Sequence, residues 1–261
     1  MWILNFSFTV MYKFTVADKY QNEKDTLLEI IRKFDQYSEI LGTPKRNVIK
    51  KIPFQDNFIV VKSFKKPNWL NRFVYRYLRS SKAERSFVHG QKLLALGIPN
   101  PEPIAYLEDF SNLGFTSSYY VSEFFPCDFT LRELCEQPDS EQCAKAFAAF
   151  SYHIHMKGVF IKDNTPGNTL IKRKNNSYEM SLVDLNRMSF CQTLTFDQKM
   201  RSLSDNVKEQ PYFNIITEEY AHLSGYSTEE IRSRIYRFRE KIDKMRECKA
   251  KHKKFFKKVF G

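Results

Sequence analysis

The feature that most narrows the fold is a change of pattern near Pro126. Ahead of it, residues 47–52 and 58–64 are rich in β-branched and aromatic side chains. The turn-like Pro53-Phe54-Gln55-Asp56-Asn57 separates them, so the pair reads as a hairpin. Residues 81–96 place Ala83, Phe87, Leu93, Leu94 and Leu96 among charged neighbours, which predicts a helix. Gly97 is its stop, followed by Pro99, Pro101 and Pro103. Residues 104–107 and 118–122 read as strands. Beyond Pro126, residues 130–136 and 140–156 read as helices, and the chain after Leu182-Val183-Asp184 reads as largely helical. Strands first and helices after is the signature of an α+β fold.

A chain of 261 residues is long enough to bury a core in one domain of two parts. Only 8 Gly are present, which argues against Gly-rich repeats or solenoids, and no internal repeat appears. Cys127, Cys135, Cys143, Cys191 and Cys248 are odd in number, scattered and without CxxC or zinc spacing, so they read as reduced thiols. No apolar run approaches the length of a transmembrane helix. The apolar start, Met1-Trp2-Ile3-Leu4-Asn5-Phe6, lacks the basic flank and cleavage site of a signal peptide. It reads either as a first strand or as sequence ahead of an initiator at Met11.

Charge is concentrated at the end. Residues 231–261 carry 13 Lys and Arg against Glu240, Asp243 and Glu247, a net +10 of the whole chain's +12. Such a tail suits an anionic partner: nucleic acid, anionic lipid or an acidic substrate. The run Lys253-Lys254-Phe255-Phe256-Lys257-Lys258-Val259-Phe260 interleaves Phe with Lys, the composition of a segment lying on a membrane surface. A solvated helix end is the plain alternative.

Four features then follow in order. Lys62 ends an apolar strand and Glu84 lies on the next helix. Asp163 precedes Asn168 by five residues in Lys162-Asp163-Asn164-Thr165-Pro166-Gly167-Asn168, and Asp184 closes the apolar run Ser181-Leu182-Val183. Phosphoryl transfer needs this set: a lysine for the nucleotide phosphates and a carboxylate to hold it. It also needs an aspartate to orient the attacking hydroxyl, and an asparagine and a second aspartate for the bridging metal. Oxygen ligands with several waters suit magnesium.

This arrangement resembles the protein-kinase-like superfamily. More closely it resembles the lipopolysaccharide core kinases, the WaaP/InaA-like group that phosphorylates Kdo or heptose in Gram-negative bacteria. The residues that carry the likeness are Arg46-Asn47-Val48-Ile49, Val61-Lys62-Ser63-Phe64-Lys65, Lys82-Ala83-Glu84-Arg85 with Leu93, Gly97-Ile98, Pro101-Glu102-Pro103-Ile104 and Val183-Asp184-Leu185-Asn186-Arg187, within residues 40–190. The resemblance implies a bilobal kinase-like fold: a β-rich N-lobe with one main helix over 1–125, a helical C-lobe over 126–248 and a basic tail over 249–261. It implies Asp163 as the catalytic aspartate and Asn168 and Asp184 as metal ligands. Lys62 becomes the phosphate-binding lysine, Glu84 its partner, and Glu123 and Phe125 the hinge whose backbone meets adenine. The cofactors are then ATP and Mg2+, and the acceptor is lipid A-core. The location is the cytoplasmic face of the inner membrane, with the tail on its anionic surface and nucleic acid disfavoured.

The sequence departs from the protein-kinase pattern. No GxGxxG precedes Lys62, where only Gly42 is near; Ile161-Lys162 replaces the usual His-Arg; Leu185-Asn186 replaces Phe-Gly; and no Ala-Pro-Glu follows. These departures argue against a regulated protein kinase. Two alternatives stay open: another kinase of the superfamily acting on protein or a soluble small molecule, and a catalytically inactive binding module. Glu102 and Glu108 compete with Glu84 as the partner of Lys62. His153 and His155 read as packing residues near the loop, not ligands, and Arg187 as either a support of the metal loop or a substrate contact.

Overall fold

The computed structural model describes residues 11–43, 47–65, 80–111, 114–206 and 212–260, without the side chains of Arg246 and 249–260. The apolar start 1–10, Arg46 and the side chains of the terminal Lys/Phe run therefore lie outside the described residues. The chain forms two compact units, residues 1–126 with 181–186, and residues 127–180 with 187–261.

The first unit is built on an antiparallel sheet of β1 (Met11–Val16), β2 (Val48–Phe54), β3 (Asn57–Phe64), β4 (Pro103–Ser111) and β5 (Gly114–Glu123). Its order is β1-β4-β5-β3-β2. The β2–β3 hairpin turns at Gln55-Asp56, with Phe54 paired to Asn57 and Gln55 at φ +52°. Pro53 sits inside β2, which is tolerable because β2 is an edge strand and a missing N–H there breaks no central ladder.

Alternation along the strands sorts the two faces. Val16, Ala105, Val121 and Val61 form one cross-strand row. Against that face packs helix α1 (Lys24–Arg32), through Leu27, Ile30 and Ile31, with Phe34 beyond it. Lys50 is buried on the same face, and its ammonium donates to the carbonyls of Phe34 and Asp35 at 2.9 and 3.3 Å. The next row, Thr15, Tyr106, Tyr120, Lys62 and Ile49, faces the other way. There helix α2 (Lys82–Ala95) seats Ala83 and Phe87 against Tyr106, Tyr120 and Phe64.

Helix α2 begins and ends as its sequence dictates. Ser81 caps it by accepting from the Glu84 N–H at 3.0 Å. It closes in a Schellman motif, with Gly97 at φ +73°, the Gly97 N–H on the Leu94 carbonyl and the Ile98 N–H on that of Leu93, each at 2.9 Å. The expectation of one main helix here is corrected to two. Leu27, Ile30, Ile31 and Phe34 have the i, i+3, i+4, i+7 spacing of a buried stripe, and burying that stripe covers a sheet face that α2 leaves open.

The second unit centres on α3 (Ser140–Met156), which packs Phe147 and Ala148 against Phe213, Ile216 and Tyr220 of α5 (Tyr212–Ser224). Around them lie α4 (Phe196–Leu203) and α6 (Thr228–Phe260). This unit is not wholly helical. Short strands β6 (Phe129–Thr130), β8 (Thr169–Lys174) and β9 (Ser177–Leu182) form one sheet. The strands β7 (Val159–Ile161) and β10 (Met188–Phe190) form another. Residues 131–136 are a 3-10 turn with a Thr130–Glu133 capping box, not an α-helix, and Pro138 leaves no room for a longer one. Helix α6 is capped reciprocally by Ser227 and Glu230, buries Ile231 and Ile235, and continues as backbone helix to Phe260, so residues 249–260 extend a helix.

Candidate active site

Within the first unit, Lys62 and Asp184 meet. The Lys62 ammonium donates to Asp184 Oδ1 at 2.5 Å, with the lysine side chain 12% exposed and the aspartate 38%. The same oxygen accepts from Asn186 Nδ2 at 2.7 Å. Asp184 holds a left-handed backbone, φ +60°. A non-glycine residue there is strained, and such strain gathers at functional sites. Asn186 is buried, and its Oδ1 has no hydrogen-bond partner among the described residues. The Asp184 carboxylate is a hard oxygen donor of the kind that Mg2+ takes.

Glu84 does not partner Lys62, which corrects the expected pair. Its Oε1 accepts from Lys13 of β1 at 2.7 Å and from the Tyr106 hydroxyl at 3.4 Å. The sheet explains why. Lys13 and Lys62 project from the same face, but Lys13 stands on the edge strand beside β4, where Glu84 of α2 comes down over Tyr106. Burial opposes the charge on both partners, but hydrogen bonding outweighs it: the Lys13 pKa is held above the ordinary lysine value and that of Glu84 below the ordinary carboxylate value. Among the other candidates, Glu102 accepts from Lys19 at 2.9 Å, and Glu108 is buried, with desolvation raising its pKa.

Glu123 ends β5 and its carboxylate accepts from Lys19 at 3.2 Å and from the Tyr20 hydroxyl. Its N–H is bonded to the Glu102 carbonyl and the Phe124 N–H to that of Phe58. No hydrogen bond to the backbone of Phe125 is made among the described residues. Residues 39–41 run antiparallel to β2, through the Ile40–Lys50 bridge and the Leu41 N–H on the Ile49 carbonyl. Gly42, at φ +71°, follows them.

Within the second unit, Asp163 lies just after β7. Its exposed carboxylate pairs with the Arg187 guanidinium, and the Lys162 N–H bonds to the Arg187 carbonyl at 3.0 Å. Of the two readings for Arg187, the structure gives it this aspartate as partner. Asn168 Nδ2 donates to the Asp163 carbonyl at 3.0 Å, which leaves its Oδ1 as the ligand-type oxygen. The loop is anchored beneath by Asn164, buried, whose Nδ2 reaches the Ser202 carbonyl at 3.2 Å. His155 is buried against Tyr220, its Nδ1 2.8 Å from the hydroxyl, while His153 is exposed; neither is placed as a ligand.

Sequence reasoning did not foresee Lys13, nor the roles of Arg85 and His89, which both reach the segment after Asp184. Their signal was present only as an i, i+4 pair on one face of α2.

No family model matches this chain, and no curated protein matches it in sequence. Among solved structures it is similar to WaaP in complex with acyl carrier protein, at 13% identity and a TM-score of 0.56, over 89% of this chain and 98% of that one. It also aligns with the Rio2 kinase–ADP/Mg2+–phosphoaspartate complex from Chaetomium thermophilum, at 16% identity and a TM-score of 0.46, over 88% and 82% of the two chains. The likeness to WaaP is one of fold: a five-stranded antiparallel sheet followed by a mainly helical part, in the protein-kinase-like α+β arrangement that the sequence predicts.

Proposed function

We propose that this protein is an ATP- and Mg2+-dependent phosphotransferase that phosphorylates a sugar hydroxyl, Kdo or heptose, of the lipopolysaccharide inner core. The observation that carries the reading is Asp184: a strained, left-handed aspartate after an apolar strand, gripped by the strand lysine Lys62. No structural need of the sheet calls for that pair, whereas a nucleotide–metal site does. The fold shared with WaaP and the sequence motifs support the sugar acceptor.

In this reading Lys62 binds the nucleotide phosphates and the Glu123–Phe125 segment meets adenine through its backbone. Asp184 and Asn168 would be the metal-ligating residues. A bound metal would supply positive charge against the nucleotide phosphates. Asp163 orients the acceptor hydroxyl and takes its proton as the oxygen bonds to the γ-phosphorus and the bond to the β–γ bridging oxygen breaks, releasing ADP. Positioning and charge stabilisation supply most of the rate. An acceptor held in a membrane accounts for the basic end of the chain, which would bind the cytoplasmic face of the inner membrane peripherally.

The test is transfer of labelled phosphate from ATP to purified lipid A-core, compared with protein and soluble sugars. Mass spectrometry of the core from cells with and without the gene runs alongside. The reading expects label in the core and loss of one phosphate in the deletion strain. Label in protein or a soluble sugar alone would move the acceptor, and no transfer to any acceptor would leave a binding module.

A further inference from the structure

Helix α2 reaches the segment after Asp184 by a route the sequence pattern does not suggest. Arg85 Nε donates to the carbonyl of Asn186 at 3.0 Å. One turn on, His89 Nδ1 lies 2.7 Å from the carbonyl of Leu185, so a proton on Nδ1 makes it the donor. At the next position Gly90 offers a bare surface to the same segment. A Cβ there would stand 3.2 Å from Leu185 Cδ1 and 2.5 Å from Pro103 Cγ, and Leu185 is buried. Asn186 turns back to hold Asp184 Oδ1, and the Leu182 N–H is bonded to the Pro99 carbonyl. The left-handed aspartate is thus flanked by backbone groups fixed from one face of α2, while Glu84 on that helix is engaged by Lys13.

We propose that Arg85 and His89 are positioning residues that hold the 184–186 backbone so that Asp184 presents its carboxylate to Mg2+, and that α2 acts on the site through these two carbonyl contacts, not through a Glu84–Lys62 pair. The proposal rests on the phosphotransferase reading above. Its physical basis is general: side chains one step removed from a ligand fix that ligand's orientation, and losing one costs about 10–100-fold in metal affinity. Two contacts on consecutive carbonyls constrain the peptide between Leu185 and Asn186, which a single contact leaves free to rotate.

The experiment is calorimetric titration of the full-length protein with the non-hydrolysable analogue AMP-PNP, with and without MgCl2. The variants are His89→Ala, His89→Asn, Arg85→Ala and Arg85→Lys, each also melted. The expected result is that analogue binding without Mg2+ is unchanged, while the gain produced by Mg2+ falls about tenfold or more in the two Ala variants. His89→Asn should restore most of the gain, because its amide nitrogen stands where Nδ1 stood. A folded His89→Ala or Arg85→Ala protein with the wild-type Mg2+ gain would overturn the proposal, as would equal loss of binding with and without Mg2+. If an Ala variant does not fold, His89→Asn and Arg85→Lys decide: a wild-type gain in the first with a reduced gain in the second supports the contacts. Loss of the gain in a folded His89→Asn overturns them. Absence of analogue binding by the wild-type protein would instead overturn the phosphotransferase reading itself.

Discussion

Replacing Glu84 by Gln tests the pairing on which the first unit departs from expectation. At 2.7 Å, with an effective dielectric of about 20, the gross attraction between Lys13 and Glu84 is about 6 kcal/mol. Lys13 is 49% exposed and Glu84 22%, so solvent screening and the ordering of two long side chains reduce the net coupling to about 1 kcal/mol. A double-mutant cycle of Glu84→Gln with Lys13→Met should return that value, and one with Lys62→Met a value near zero. The pH dependence has a definite sign. Burial is the largest influence on Glu84 and opposes its charge, but hydrogen bonds from Lys13, Ser80 and Tyr106 outweigh it and hold the folded pKa below the ordinary value. Its contribution is therefore complete above about pH 4.3 and disappears as pH falls through the lowered folded value. Glu108 also faces this group, its own pKa raised first by burial and further by Glu84, so the variant relieves some repulsion and the measured difference is a lower bound. Urea unfolding followed by circular dichroism, at neutral pH and below about pH 4, reads both quantities. A coupling to Lys62 as large as that to Lys13, or a difference that persists undiminished in acid, would refute the assignment.

Asp163→Asn should leave ATP binding intact and cut turnover by orders of magnitude, because the residue orients a hydroxyl and does not hold nucleotide; calorimetry beside a phosphate-transfer assay checks this. Burial, helped by the charge of Lys199, pushes His155 down to about 3, so its contribution to stability is full above its ordinary value and is lost as pH falls toward the folded one. His155→Gln should remove a slope of up to about 1.4 kcal/mol per pH unit below about pH 6.5, read from acid unfolding curves; an unchanged slope would show that His155 is not its source. Deleting residues 249–261 should weaken co-sedimentation with anionic vesicles, by on the order of 1 kcal/mol per lysine near the surface, and spare phosphorylation of a short soluble sugar. High salt should reproduce only part of this loss, since it screens Lys and leaves Phe; equal sedimentation of both forms at low salt would end the membrane reading.

Several elements were legible without the structure because their causes are local. Helix α2 has its cap, its apolar spacing and its Gly97 stop within one stretch of sequence, and α3 runs over the residues 140–156 that periodicity picks out. The spacing of Asp163, Asn168 and Asp184 pointed to the kinase-like fold that the structural likeness shows. Helix α1 has an equally local stripe, and the 3-10 turn at 131–136 reads as helical because its apolar residues satisfy either period. The ion pairs were a different matter. Lys62 meets Asp184 across 122 residues and Lys13 meets Glu84 across 71, and both lysines project from strands on the same sheet face. Which carboxylate each one reaches depends on strand order, on the register that aligns Thr15, Tyr106, Tyr120 and Lys62, and on where α2 crosses that row. Charge type is written in the sequence; Coulomb attraction depends on distance, and only the tertiary structure sets the distances that made Glu84 the partner of Lys13.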